Sequence, residues 1–175
     1  MMADVTTRLV ATSDAPELAA VLAANRKFLT PYEPFRPEEF YTAEGQRTHL
    51  EDVLRTTAAG MALPHVIIDD GRIVGRITLS GIVRGPFLSA DLGYWVAESA
   101  NGRGVATAAV TRILRIAFDE MGLHRVEAGT LVHNAASQRV LQRNGFRRYG
   151  LAPRYLRING EWRDHILFQR LADDE

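Results

Sequence analysis

The stretch Asn101-Gly102-Arg103-Gly104-Val105-Ala106-Thr107 restricts what this chain can fold into more than any other. It joins an apolar, β-prone run, Leu92-Gly93-Tyr94-Trp95-Val96, to a helical pattern over residues 107–121. Glycine has no Cβ, so two of them at a strand-to-helix turn let the backbone approach a ligand closely. The first N–H groups of the helix have no partner within it and lie at the positive end of its dipole, which suits phosphate. The stretch predicts a backbone cradle for phosphate. It lacks the Lys-Ser/Thr ending of the nucleoside-triphosphate loop. Gly102-x-Gly104-x-x-Thr107 comes near the dinucleotide fingerprint, with Glu127 about twenty residues further on. However, Thr107 stands where the third glycine belongs, and Glu127 falls near the start of the next strand rather than at its end. A tight connection with no ligand would use the same glycines, so the rest of the chain has to decide.

Downstream, residues 107–121 carry an apolar face at helical spacing through Val110, Ile113, Leu114 and Ala117, and Met121-Gly122 ends it. Val126, Ala128, Thr130 and Val132 alternate as a strand, which makes strand–helix–strand with a parallel pairing. His133-Asn134-Ala135-Ala136-Ser137 opens a short helix that Asn144-Gly145 closes. A final hairpin turns at Asn159-Gly160. Upstream, a strand over 6–11 precedes a helix opened by Ser13-Asp14-Ala15-Pro16-Glu17. Its stripe is Leu18, Val21, Leu22, Phe28 and Leu29, and Asn25 interrupts it as either a satisfied buried amide or a pocket residue. The loop Thr30-Pro31-Tyr32-Glu33-Pro34-Phe35-Arg36-Pro37 is stiffened by three prolines and suits a cleft wall or a plain connector. A second helix is expected over 37–59. Residues 62–97 read as an antiparallel meander with a hairpin at Asp69-Asp70-Gly71-Arg72, bends at Gly75 and Gly81, and a bulge at Gly93. Without repeats or a linker, residues 1–175 are expected to form one domain.

Net charge is zero, so no general attraction to nucleic acid or an anionic membrane is expected. With no cysteine, disulfides, thiol catalysis and Cys-based zinc sites are excluded, and no metal site is expected. Hydrophobic residues are 46% and charged residues 24%, an ordinary globular balance. With no long apolar run and no signal-like start, a cytoplasmic protein is expected.

Taken in order, the strand 92–96, the Gly102/Gly104 turn, the strand 126–132, Asn134-Ala135-Ala136-Ser137 and Asn144-Gly145-Phe146 resemble the GNAT superfamily of N-acetyltransferases. That phosphate loop runs Gln/Arg-x-x-Gly-x-Gly/Ala, and Asn101 departs from its first residue. Asn25-Arg26 with Phe28-Leu29, Val83-Arg84-Gly85, Leu92-Gly93-Tyr94 and Trp162-Arg163-Asp164-His165 resemble the Rim-type ribosomal-protein-alanine N-acetyltransferases. The resemblance implies an α+β, GNAT-like fold: a mixed, mostly antiparallel sheet with one parallel crossover, flanked by helices. It implies acetyl-CoA as co-substrate, held by Tyr94, Trp95, Val96, Asn101, Gly102, Arg103, Gly104, Val105, Ala106, Thr107, Asn134 and Ser137. Pyrophosphate would meet the N–H groups of residues 103–107, and the pantetheine arm would pair with a splayed strand 94–97. A backbone N–H near Val96 would steady the oxyanion. Ser137 would serve the departing thiolate, although Asn134 and Ser137 fit helix capping as well.

The acceptor implied by the Rim-type likeness is the N-terminal α-amine of a protein, a ribosomal one among the candidates. An α-amine with a pKa of about 7.7–8.0 is partly neutral at pH 7, whereas a Lys side chain near 10.4 is almost entirely charged. A weak base therefore suffices. Glu127 is the first candidate, ahead of Asp91, His133 and Asp164, and Arg154 stands where similar enzymes often carry an acid before a tyrosine. Asn25, Arg26, Phe28, Tyr32 and Tyr155 are the candidate acceptor-binding residues, with Arg26 and Arg36 flanking the proline-rich loop. Acetylation of a small amine (a polyamine, amino acid or aminated antibiotic) and a non-catalytic acyl-CoA-binding module are the alternatives. Monomer and homodimer both remain open.

Overall fold

A computed structural model describes residues 5–174. Seven strands form one sheet in the order β1-β2-β3-β4-β5-β7-β6. β1 (Val5–Leu9), β2 (Leu63–Asp69), β3 (Arg72–Val83) and β4 (Ser89–Val96) run antiparallel, β5 (Arg125–Leu131) lies parallel to β4, and β6 (Arg147–Ile158) and β7 (Glu161–Leu171) close the far side. α1 (Ala15–Leu29) and α2 (Ala43–Ala58) cover one face, while α3 (Val105–Arg115) and α4 (Ala135–Arg143) cover the other. Adjacent residues of β2 therefore go to different cores. Val66 packs with Leu18, Leu50 and Ile73, and Ile67 packs with Ile77, Val110 and Ile113. Two-sided covering explains why β2 lacks the alternation of a half-exposed strand. No described helix is long and apolar enough to cross a membrane.

The turns follow their sequences. Asp70 and Gly71 both have positive φ, at 51° and 73°, as a two-residue hairpin with matching twist requires. Asn159 and Gly160 repeat the device at 45° and 84°. The expected second helix is divided: a 3₁₀ turn over Glu38–Tyr41 comes first, then Thr42 caps α2 by accepting from the Gly45 N–H at 3.0 Å. α3 continues as a π-helical turn over Ile116–Glu120 before Gly122 reverses the chain.

Register irregularities fall at Ile67/Ile68 opposite Gly75, and between Ser80 and Val83 around Gly81. No bulge occurs at Gly93. It pairs with Thr78 in regular register, and a Cβ built there would meet nothing within 4 Å. The glycine leaves space above the sheet instead of bending it.

β4 and β5 share only three parallel pairs, Ser89↔Arg125, Ala90↔Val126 and Asp91↔Glu127. Beyond them β4 continues along β3 as far as Gly75↔Val96, and β5 continues along β7 as far as Leu131↔His165. The two strands part like a fork. Residues 92–96 thus keep backbone groups without a ladder partner on the β5 side, in the interior of a sheet.

Candidate active site

The fork opens onto the Asn101–Thr107 turn. Gly102 has φ of 72°, and Gly104, the residue before α3, has φ of 80°. Such left-handed conformations cost a glycine little and other residues much more. Gly104 brings no side chain to cap the helix, so the first N–H groups of α3 face the cavity without competition. That cavity is lined by Asn101, Gly102, Gly104 and Thr107 from the turn and by Arg139 and Arg143 from α4. α3 is held in place through Asn144, which is 4% exposed. Its Oδ1 accepts from the Thr111 hydroxyl at 2.8 Å, and its Nδ2 donates to the Thr107 carbonyl at 3.3 Å.

The cradle continues into a larger cleft of about 490 Å³ along the splayed half of β4. Tyr94, Trp95 and Val96 form its floor, Asn134 and Ser137 one wall, and Phe28 and Tyr32 the other. Midway along it, the Tyr94 phenol and the Ser137 hydroxyl lie 2.8 Å apart, and the phenol also reaches the Ser137 carbonyl at 3.3 Å. Burial pushes the Tyr94 phenol up to about 12, and its contact with Ser137 only partly offsets that. The phenol is therefore protonated at neutral pH. Asn134 caps α4, its Oδ1 accepting from the Ser137 N–H at 3.2 Å. The same bond fixes the rotation of the first turn of α4 and so the direction of the Ser137 side chain.

The opposite face of β4 carries a second cavity, of about 430 Å³, between the sheet, α2 and the loop after α1. Arg36, His49, Arg76 and Gly93 line it, and Tyr94 and Trp95 border both cavities. Where the fork closes, the Glu127 Oε1 accepts from the Tyr149 hydroxyl at 3.1 Å and from Arg125 at 3.4 Å. Asp91, its neighbour across the last parallel pair, has its carboxyl raised by burial and then by the Glu127 charge. Tyr155 lies across β7, with its ring centroid 5.6 Å from that of His165 and its edge beside Gly129. Asp164 accepts the Arg154 N–H at 2.8 Å, which holds Arg154 at φ of 49° in an irregular stretch of β6.

The acetyltransferase (GNAT) domain family matches residues 4–147. The chain belongs to the GNAT acetyltransferases. It is 36% identical over 162 residues to the [ribosomal protein uS5]-alanine N-acetyltransferase of Escherichia coli (strain K12), covering 91% of this chain and 84% of that one. It is 34% identical over 165 residues to the probable N-acetyltransferase YjcK of Bacillus subtilis (strain 168), covering 93% and 91%. Among solved structures, Mycobacterium smegmatis RimJ in complex with CoA-disulfide superposes with a TM-score of 0.94 at 35% identity, over 97% of this chain and 82% of that one.

Within this GNAT chain several polar side chains singled out in the sequence are already engaged. Asn25 joins α1 to the turn after β4: its Oδ1 accepts from the Glu98 N–H at 2.9 Å and its Nδ2 donates to the Val21 carbonyl at 2.8 Å. Arg26 grips Glu38 with both Nη atoms, at 2.8 and 2.5 Å, and lies over the Tyr41 ring. Arg103 offers the cradle its backbone only, since its guanidinium pairs with Asp69 at 3.0 Å on the end of β2. The basic side chains at the cradle are Arg139 and Arg143, four apart on α4. Neither residue was among the candidates drawn from the sequence. Their i, i+4 spacing right after the Asn134 cap was the signal that both share one face.

Proposed function

We propose that this GNAT acetyltransferase moves acetyl from acetyl-CoA to the N-terminal α-amine of a protein, by direct attack within a ternary complex. The observation that carries the proposal is the fork: a glycine cradle, a splayed strand and the Tyr94–Ser137 pair lie along one continuous cleft. The N–H groups at the start of α3, helped by Arg139 and Arg143, hold the phosphates. The free backbone of residues 94–96 takes the pantetheine arm as an added strand, and the Asn134 amide binds one of its amides. An N–H near Val96 donates to the thioester oxygen as charge develops on it and the amine nitrogen bonds to the carbonyl carbon. The C–S bond then breaks, the thiolate accepts a hydrogen bond from the Ser137 hydroxyl, which Tyr94 keeps in line, and the proton shed by the nitrogen restores the thiol through water. The nitrogen loses its own proton to water or to Glu127 at the closed end of the fork.

The Rim-type relatives carry ribosomal proteins in their names, and a peptide terminus suits a second cavity that opens beside the cleft. Small-amine acetylation remains the second reading, since an amino-acid acetyltransferase is among the more distant relatives. Incubating the protein with acetyl-CoA, a panel of peptides and a set of small amines, followed by product mass measurement, separates the two. A 42 Da gain on peptide N-termini is expected, 42 Da being roughly the mass of acetyl less one hydrogen. Acetylation of the small amines alone would replace the protein acceptor by the second reading.

A further inference from the structure

The cavity on the α1–α2 side of β4 contains two guanidinium groups that, among the described residues, have no carboxylate within ion-pair distance. Arg36 lies over the Phe40 ring, 4.6 Å from its centroid, and Arg76 stands on β3 opposite Trp95. The Nε atom of each is shut off from solvent and has no hydrogen-bond partner. Among the described residues neither guanidinium forms an ion pair, unlike Arg8, Arg26 and Arg103. Buried donors are ordinarily bonded, and an uncompensated buried charge is costly, so such a pair calls for an outside partner. Burial, reinforced by repulsion from Arg36, pulls the Arg76 guanidinium down to about 10. Glu33 is the one carboxylate on the wall, raised by burial although Arg36 and Arg76 partly offset this, and His49 is lowered to about 4 by burial and then by the two arginines. Two guanidinium groups thus face a single carboxylate in roughly 430 Å³ of space.

We propose that this cavity is a specificity pocket for a carboxylate carried by the acceptor. The ligand is an Asp or Glu side chain near a peptide's N-terminus, or the α-carboxylate of an amino acid. The inference rests on the reading of the protein as an enzyme that acylates an amine. Two planar guanidinium forks match a carboxylate bidentately, which a backbone carbonyl cannot do. The pocket also adjoins the reaction. Tyr94 and Trp95 border both it and the acyl cleft, so an acceptor anchored here presents its amine across one strand. A neutral acceptor would leave both Nε donors buried and unpaired, and that penalty is the basis of selection.

The test compares initial rates for Ala-starting hexapeptides carrying Asp, Asn, Glu or Gln at the second or third position, beside free amino acids and their amides. The acidic peptides are expected to exceed their amide counterparts in kcat/KM by about tenfold or more. Arg36→Gln and Arg76→Met should each reduce that ratio several-fold, and either variant suffices if the other fails to fold. A preference confined to free amino acids would make the α-carboxylate the ligand. Equal kcat/KM for acids and amides in both series would overturn the pocket while leaving acetyl transfer intact. If no acceptor is acetylated, the enzymatic reading fails, and the pocket is then judged by binding. With Trp162→Phe, Trp95 becomes the only tryptophan, and its fluorescence reports titration with each peptide. Equal Kd for acidic and amide peptides would again overturn the proposal.

Discussion

The two faces of β4 are built from different materials. On the α3–α4 side the cradle is mainly backbone: N–H groups freed by glycines at φ of 72° and 80°, and strand edges left open by the fork. On the α1–α2 side the cavity is made by side chains that come together from the loop after α1, from α2 and from β3. A backbone site is fixed by conformation and tolerates varied side chains. A side-chain site is fixed by residue identity and can change its ligand through one or two substitutions. The proposed cofactor face should therefore be broken by altering backbone freedom, and the proposed acceptor face by altering charge.

The largest effect is expected from Gly104→Val. A β-branched residue at φ of 80° costs on the order of 1–3 kcal/mol of local strain and crowds the phosphate approach. Affinity for acetyl-CoA should drop by about a hundredfold or more, with the fold retained at room temperature by circular dichroism. Unchanged calorimetric affinity in a folded variant would remove the loop from cofactor binding.

Ser137→Ala comes next, with kcat lowered by about a hundredfold while the KM for acetyl-CoA stays within about twofold. Its motive is the 2.8 Å contact with Tyr94 midway along the cleft. If Ser137 only caps α4, kcat will not move, and the chemistry must lie elsewhere on that face.

Glu127→Gln should cost less, about tenfold in kcat, because water can take a proton from an α-amine whose pKa is already near neutral. The deficit should shrink as pH rises past the amine's own pKa. A deficit constant from pH 6 to 9 would assign Glu127 to holding Tyr149 and Arg125 rather than to proton transfer.

The smallest effect concerns stability. His49 is depressed from 6.5 to about 4 by burial first and by Arg76 and Arg36 after it. A depressed histidine favours the fold above its unfolded value of 6.5 and loses that contribution as pH falls towards about 4. After allowance for its solvent contact this amounts to about 1 kcal/mol. Hydrogen exchange should show α2 loosening ahead of α3 over that interval, with His49→Gln flattening the difference. Simultaneous loosening of both helices in the native protein would deny the two faces separate responses to acid.

The same contrast governs what the sequence discloses. The glycine turn before α3, the meander, both hairpins and the parallel crossover were legible because glycines and periodicity report local backbone directly. Gly93 misled because a strand glycine signals either a bulge or empty space, and only the pairing with Thr78 distinguishes them. Asn25 was noticed, yet its partner is the Glu98 N–H, 73 residues away. Arg76 lies in an alternating strand where a charge reads as solvent-facing. Only the packing of α2 and the loop over β3 encloses it.

The fork also bears on how this protein behaves at high concentration. Unpaired strand edges usually invite other chains to add to them, and proteins blunt such edges with charge or cover. Here the two open edges, beyond Asp91 on β4 and Glu127 on β5, face each other within the molecule, walled by Phe28, Tyr32 and α4. An extended segment must enter lengthwise to pair with them, which excludes a sheet from a neighbouring copy while admitting a single thin strand. The gap is thus a template for adding one strand and a poor seed for aggregation.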